Sequence, residues 1–276
     1  MFNVLGAQLY RLKKSKLFWA LFIVTAVLPI LGMILMTGLM SILSDLFAED
    51  GSILALIQME GGELTLSSLG NMVSLSSDAA LFSILCSSIF LSGEFSGGAI
   101  RNMVLANKSR TQIFLSFFSI SLIIGFSYFG VSYLSTLACY GIIIGFEGVT
   151  AAQAVSGCFV SLFLGLLTII LAQSCVCLLL FGTRRTGATV AIPLLLLLFA
   201  PSIITTIVDI VVSLKAVVGQ TVSSASLGWI PLYNMGMFNA SHLDGGLIGK
   251  IILYNVPLAA LLATLSWLSI KKCDLK

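Results

Sequence analysis

Long runs without a charged residue divide the chain into six apolar segments. A helix needs about 20 predominantly apolar residues to cross the hydrocarbon core of a bilayer, so each segment is a candidate span. The pattern predicts an all-α polytopic membrane protein with six transmembrane helices. We place these spans at 17–39, 75–91, 111–138, 155–181, 187–210 and 249–270.

Two uncharged runs, 111–146 and 148–183, are longer than one crossing requires. Each would measure about 54 Å as a straight helix, whereas the hydrocarbon core is about 30 Å thick. The runs meet at Glu147, between two glycines. We therefore expect two long helices that tilt or extend beyond the lipid before the chain turns.

The composition excludes several other classes of protein. Of the 276 residues, 58% are hydrophobic and 9% are charged, whereas a soluble domain carries about 25% charged residues. The same apolar excess excludes a disordered chain, and a net charge of +3 supplies no basic surface for nucleic acid. Five of the six cysteines lie in apolar runs, where they predict small buried side chains. The sequence does not decide whether Cys139 and Cys158 form a disulfide.

Basic residues concentrate on one side of the six-span arrangement. Cytoplasmic loops of membrane proteins carry an excess of lysine and arginine. All 14 basic residues except Lys215 and Lys250 fall at the termini, between spans two and three, or between spans four and five. We therefore expect both termini and Arg184 to be cytoplasmic, and Glu49 and Glu147 to lie outside.

The sequence lacks the common motifs of catalytic sites. Its single histidine, His242, excludes a zinc site built from paired histidines. No phosphate-binding loop of the form Gly-x-x-x-x-Gly-Lys-Ser/Thr is present, and a serine hydrolase would have to use His242 beside Asp244. We expect no metal, no cofactor and no enzymatic activity in this chain, so a partner must supply the energy for active transport.

The amino terminus, residues 1–16, is predicted to form an amphipathic helix. Phe2, Leu5, Leu9 and Leu12 share one helical face, with basic residues pointing elsewhere. This pattern is typical of a helix that lies in the plane of the membrane interface.

A second amphipathic helix is predicted at 96–107, between spans two and three. Ile100, Met103 and Val104 share one of its faces. A Ser-x-x-Gln capping box at 109–112 then starts a new helix. A short, separately capped helix at the cytoplasmic end of a bundle can insert its apolar face into a groove of a cytoplasmic partner.

The same stretch resembles the permease subunits of type-2 ATP-binding-cassette exporters, in which it reads E-x-x-x-G-T-I-R-N, then S-R, then I-F-L-S-K. The similarity is greatest to small bacterial permeases of bacteriocin, lantibiotic or bacitracin self-protection and of amphipathic-peptide export. The chain departs from the pattern at Ala99, where the family usually has threonine, and at Phe117, where it usually has lysine. The residues that carry the resemblance are Glu94-Phe95-Ser96-Gly97-Gly98-Ala99-Ile100-Arg101-Asn102, Ser109-Arg110 and Ile113-Phe114-Leu115-Ser116.

This resemblance implies that the whole chain, 1–276, is one transmembrane domain in a bacterial cell membrane. It implies that the helix at 96–107 is a coupling helix that docks on a separate ABC ATPase subunit, which binds the ATP and Mg²⁺. A second permease copy or a sister permease would complete the pathway, and the cargo would be an amphipathic peptide, an antibiotic or a lipid-like molecule. The residues assigned to coupling are Glu94, Gly97, Gly98, Ile100, Arg101, Asn102, Met103 and Val104.

Two acidic residues, Asp78 and Asp209, lie near the predicted outer ends of spans two and five. A carboxylate at the centre of the bilayer costs about 2.5–3.5 kcal/mol on insertion scales. Asp78 and Asp209 are therefore either interfacial anchors or an acidic patch on the exit path of a cationic cargo.

The apolar, aromatic segment 213–246 follows span five, and it predicts short re-entrant helices at the outer face.

Two other functions fit an apolar helical bundle. A secondary transporter or channel would need charged or unwound sites at mid-membrane, often within inverted repeats, and we find no clear repeat. A membrane scaffold or sensor would need neither. A neighbouring gene that encodes a nucleotide-binding loop would favour the exporter over both.

Overall fold

The computed structural model of the protein describes residues 2–46, 71–96, 103, 109–143, 151–183, 187–196, 203 and 245–272. Across these residues the chain forms seven helices and no strand. The predicted all-α class is therefore confirmed for this part of the chain. The helices are α1 (Phe2–Lys14), α2 (Lys16–Leu46), α3 (Asn71–Ser96), α4 (Arg110–Ile143), α5 (Ala151–Thr183), α6 (Gly187–Leu196) and α7 (Gly245–Lys272).

Four helices are long and apolar enough to cross a membrane, and each coincides with a predicted span. The remaining predicted spans, two and five, are described over shorter apolar stretches, Ala79–Phe95 within α3 and Gly187–Leu196 in α6. A multi-pass membrane protein is thus confirmed, and the count of six spans stays a prediction. The four long spans are Lys16–Leu35, Arg110–Cys139, Val155–Thr183 and Ile248–Lys271.

Helices α4 and α5 form the centre of the bundle. They contain 34 and 33 residues, so each is about 50 Å long. Both pack against α3 and against each other, α7 packs mainly along α5, and α2 packs on α4 and α3. The apolar stretches of α4 and α5 are more than half buried, whereas those of α2 and α7 are mostly exposed. The outer faces of α2 and α7 therefore suit contact with lipid or with another membrane helix.

Two buried clusters fill opposite ends of these helices. The aliphatic cluster joins the first half of α3 to the second half of α4 and the middle of α5, and the aromatic cluster joins the opposite halves. The buried members of the aliphatic cluster are Ala79, Ala80, Ile84, Phe129, Tyr133, Leu164, Leu167, Ile169, Ala172, Val176 and Ile251. The buried members of the aromatic cluster are Leu12, Cys86, Leu91, Ile113, Phe114, Phe117, Ile120, Ile124, Tyr128, Cys177, Leu180, Phe181 and Ile270.

Close approach of α4 and α5 depends on two glycines. A Cβ atom on Gly125 would lie 2.5 Å from Ile169 Cγ2, and one on Gly165 would lie 2.3 Å from the ring of Phe129. Such distances are well below van der Waals contact. Small residues allow this close approach because they place no side chain between the backbones.

A buried amide, Gln173, connects the three central helices near these glycines. The hydroxyl of Ser121 on α4 donates to Gln173 Oε1 at 2.5 Å. Gln173 Nε2 donates in turn to the hydroxyl of Ser83 on α3 at 3.0 Å. All three side chains are buried, so the hydrogen bonds satisfy polar groups that would otherwise face an apolar interior.

A tyrosine, Tyr133, makes a further link between α4 and α5. Its hydroxyl donates to the carbonyl oxygen of Cys158 at 2.6 Å and lies 3.1 Å from the hydroxyl of Ser161. Cys139 and Cys158 are both free cysteines. The disulfide that the sequence left open is therefore not formed in this structure.

Helix α1 places its apolar face on the bundle. Leu12 is buried in the aromatic cluster, and Leu5 and Leu9 are partly buried against it. The predicted amphipathic helix is present, and the face expected to contact lipid contacts protein along these three leucines. The sequence pattern identifies an apolar face, but it does not identify what covers that face.

A tight elbow at Ser15 connects α1 to α2. The Ser15 amide donates to the carbonyl oxygen of Leu12 at 3.0 Å, and its hydroxyl accepts a hydrogen bond from the Phe18 amide at 3.4 Å. The indole N–H of Trp19 donates to the carbonyl oxygen of Lys13 at 2.8 Å. These bonds satisfy groups that helix ends leave without intrahelical partners, and they fix the angle between the two helices.

Candidate functional site

The predicted coupling residue Glu94 lies at the end of α3 and pairs with α1. Arg11 Nη1 donates to Glu94 Oε1 at 3.0 Å and to Oε2 at 2.7 Å. The Glu94 side chain is 10% exposed, and that of Arg11 is 58% exposed. The ion pair therefore joins the amino-terminal helix to the helix that leads into the predicted coupling segment.

Aromatic rings surround the end of α3 immediately after Glu94. The ring of Phe95 lies 5.7 Å from that of Phe181 on α5 and 6.1 Å from that of Phe117 on α4. Phe181 also lies 5.9 Å from Phe114. Edge-on and tilted contacts at these distances are favourable because the ring edges are positive and the faces negative. Phe95 thus links the end of α3 to both central helices.

Among the assigned coupling residues from Gly97 to Val104, the structure describes the side chain of Met103. It is helical and partly buried, and it packs against the aromatic cluster. The apolar face assigned to the partner groove thus contacts the bundle at this residue. The other assigned positions after α3 lie outside the described residues: Gly97, Gly98, Ile100, Arg101, Asn102 and Val104.

Helix α4 begins directly after this segment, as the capping box predicts. The hydroxyl of Ser109 accepts a hydrogen bond from the Gln112 amide at 3.3 Å, and α4 starts at Arg110. Arg110 Nη1 donates to the carbonyl oxygen of Lys271. The start of α4 and the end of α7 are therefore joined at the same end of the bundle as Glu94 and Met103.

Tyr128 fastens α2 to α4 farther along the aromatic cluster. Its hydroxyl donates to the carbonyl oxygen of Phe18 at 2.8 Å. The Phe18 ring lies edge-on to that of Tyr128 at 5.6 Å, and Phe22 stacks on Phe18 at 5.7 Å. Tyr128 therefore joins the first span to α4 within the aromatic cluster.

The two predicted outer acids are only partly described. Asp78 lies in the first turns of α3, near the end of the bundle that holds the aliphatic cluster. Its side chain and the whole of Asp209 lie outside the described residues. Their proposed part in a cargo path stays a prediction.

Sequence reasoning missed two features that the structure reveals. Gln173 was passed over, although an amide in a 33-residue apolar helix is itself a signal of an interhelical hydrogen bond. Arg11 was assigned to a basic stretch, and its pairing with a residue 83 positions away has no local signature. Both are contacts between helices, which depend on how each helix is rotated in the bundle.

The helices, their apolar lengths and their buried clusters define a multi-pass helical membrane protein. Residues 5–200 match the model of the family described as ABC-2 family transporter protein. The match covers more than half of the chain, which therefore belongs to this family. It is a permease subunit, the membrane part of an ATP-binding-cassette transporter, and such permeases work with a partner ATPase. A search of curated proteins found no match.

Proposed function

We propose that this chain is the permease of an ATP-driven exporter, and that the end of the bundle holding the aromatic cluster receives the ATPase. The observation that carries the proposal is the packing of Met103 beside the end of α3, where Glu94 pairs with Arg11. The cluster that Met103 contacts contains residues of α1, α3, α4 and α5, so force applied at Met103 can reach all four helices. A flexible inner loop would transmit no such force.

The exporter topology that we propose has six spans and cytoplasmic termini. Its support is that Leu12, near the start of the chain, and Ile270, near its end, belong to the same buried cluster. Because α2 leaves this end and α7 reaches it, an even number of crossings connects them. The basic residues of the two termini then lie on the cytoplasmic side, as the positive-inside rule requires.

The proposed coupling helix, 96–107, divides its faces between bundle and partner. Met103 supports an apolar face that holds the helix on the aromatic cluster. Arg101, which the helical pattern places away from Met103, is then available to the ATPase. Charged residues at the edge of an interface govern specificity and the rate of encounter.

The proposed cargo is an amphipathic peptide, an antibiotic or a lipid-like molecule, which follows from the resemblance to peptide-protection permeases. The scarcity of charge agrees with it, because 9% charged residues leave little polar lining for sugars or ions. The pathway would form between two permease copies or with a sister permease. Asp78 and Asp209 are proposed as acids on the exit path of a cationic cargo.

A secondary transporter or a scaffold without ATP coupling is the alternative. Either alternative would function without an ATPase. Family membership favours the exporter, because permeases of this family are subunits of ATP-driven transporters.

The test is purification of the chain with a candidate ABC ATPase, chosen as a neighbouring gene product that carries a nucleotide-binding loop. Arg101→Glu should lower co-purification and cargo-stimulated ATP hydrolysis about tenfold, since removing a charge pair at an interface costs about 1.4 kcal/mol or more. Ile100→Asp should act indirectly, because Ile100 shares the face of Met103 and a carboxylate there would weaken the seating of the helix on the aromatic cluster. Lys250→Glu is the matched control, because Lys250 is exposed at the opposite end of the bundle. Wild-type co-purification and hydrolysis by both variants would contradict the docking role.

A further inference from the structure

The outward face of α1 carries a basic patch whose use is not explained by packing. Tyr10, Lys13 and Lys14 occupy positions i, i+3 and i+4, which share one helical face. Lys16 follows at the start of α2. All four side chains are exposed, and Tyr10 is 61% exposed. We call these residues, together with Trp19, the elbow patch.

The lysines of the elbow patch have no acidic partner among the residues that the structure describes. Arg11, the neighbouring base, is already paired with Glu94. Within the described part of the chain, no carboxylate lies within ion-pair distance of Lys13, Lys14 or Lys16. Three exposed positive charges thus lie within four residues, and no described carboxylate pairs with them.

The aromatic residues of the patch mark a membrane interface. Tyrosine and tryptophan concentrate at the level of the lipid headgroups, and Trp19 is 46% exposed. Lys14 Nζ lies 4.7 Å above the ring of Tyr10, and the Trp19 indole is bonded to the carbonyl of Lys13. These contacts, with the elbow at Ser15, hold the charges at the start of the first span.

The apolar face of α1 is covered by protein. Leu5, Leu9 and Leu12 pack on the aromatic cluster, so α1 has little apolar surface left for burial in lipid. The surface that it presents outward is basic and aromatic. In the headgroup region, the group that complements this basic surface is a negatively charged one.

We propose that the elbow patch binds the headgroups of anionic phospholipids in the cytoplasmic leaflet, with Lys13, Lys14 and Lys16 contacting their phosphates. Basic residues next to a transmembrane helix are attracted to anionic lipids over about one Debye length. Because α1 is paired to Glu94 through Arg11, bound lipid would also hold the helix that leads into the coupling segment. The inference rests on the proposed orientation, in which the aromatic cluster lies at the cytoplasmic end.

The test uses the full chain with Trp229→Phe and Trp267→Phe, so that Trp19 is the only tryptophan. The protein is reconstituted in phosphatidylcholine vesicles that contain brominated phosphatidylglycerol or, separately, brominated phosphatidylcholine. We expect the anionic lipid to quench Trp19 fluorescence more strongly at equal mole fraction and low salt. Lys13→Gln, Lys14→Gln and Lys16→Gln together should abolish this preference, with a loss of up to about fivefold per lysine.

Lys250→Gln is the matched control, because it removes an exposed lysine at the other end of the bundle, and it should leave the preference intact. Equal quenching by both lipids in the wild type would overturn the inference. So would a preference that survives the triple substitution, or one that persists in 1 M salt, where the Debye length is about 3 Å. If the triple variant instead loses the ATPase on co-purification while its lipid preference is unchanged, the patch docks the ATPase and the lipid assignment is wrong.

The failure of this inference and that of the proposed function are distinguishable. The vesicles contain the same lipid in both leaflets, so the quenching ratio does not depend on orientation. Labelling of a cysteine substituted at Lys16 in intact cells tests the orientation separately.

Discussion

The aliphatic and aromatic clusters hold the same central helices together in different ways. At the aliphatic cluster, α4 and α5 approach closely where Gly125 contacts Ile169 and Gly165 contacts Phe129, and neither position has room for a Cβ atom. In the aromatic cluster, large rings of four helices meet at centroid distances near 6 Å. Close backbone packing of this kind suits a fixed scaffold.

The polar contacts between helices also differ between the two ends, and they are more buried near the aliphatic cluster. Near the aliphatic cluster, Gln173 connects buried hydroxyls on two other helices. At the aromatic end, the interhelical ion pair uses the largely exposed Arg11. Buried polar networks are costly to break, whereas exposed ion pairs contribute about 0–1 kcal/mol. We infer that the aliphatic cluster is the rigid part of the permease and that the aromatic end is the adjustable part.

The largest expected effect is on the glycine contact of the rigid part. Gly125→Val would force a side chain into Ile169 and Gln173, and overpacking of this kind costs about 1–3 kcal/mol. The measurement is the free energy of unfolding in detergent. Gly130→Val is the control on the same helix, since nothing lies within 4 Å of a Cβ at Gly130, and it should change stability by less than about 0.5 kcal/mol. Equal effects of the two variants would contradict close packing.

The Gln173 network should contribute less than the glycine contact. Gln173→Leu removes both interhelical hydrogen bonds at similar volume, and such bonds average about 0.6 kcal/mol in membranes, so we expect a loss of about 1 kcal/mol. Ser83→Ala should cost about half as much because it removes one bond. A double-mutant cycle of these variants checks the pairing. Additive effects would mean that the two residues do not interact.

The smallest expected effect on stability is at Arg11, the largely exposed partner of the Arg11–Glu94 pair. Arg11→Glu should lower the free energy of unfolding by about 1 kcal/mol, and Glu94→Arg should lower it more because the Glu94 side chain is 10% exposed. Each should nevertheless reduce cargo-stimulated ATP hydrolysis severalfold, because α1 is released from the end of α3. The double swap restores opposite charges and should recover hydrolysis. A swap as impaired as the single variants would mean that the pair does not couple the helices.

Sequence patterns located most of the helices because one-dimensional signals suffice for them. Uncharged runs predicted the spans that coincide with α2, α4, α5 and α7, since crossing lipid requires length and apolarity alone. Ser109 marked the start of α4 because capping is local. The predicted span at 75–91 lies within α3, although the helix starts earlier, at Asn71.

Contacts between helices could not be read from the sequence. Leu5, Leu9 and Leu12 identified an apolar face but not the protein cluster that covers it. Met103 was assigned to a partner-facing surface by the same pattern, and its contact with the bundle depends on the position of the segment in three dimensions. Gln173 lies in an apolar run and was not singled out from the sequence, and its hydroxyl partners on α3 and α4 are set by helix rotation.

The central claim is that the aromatic end of the bundle contacts the ATPase. Its most direct test places a photo-crosslinking amino acid at position 101 or 109 in the complex, and at position 250 as the opposite-end control. We expect a covalent product with the ATPase from at least one of the first two positions and none from position 250. A product from position 250, or no product from positions 101 and 109 in a complex that hydrolyses ATP, would contradict the account.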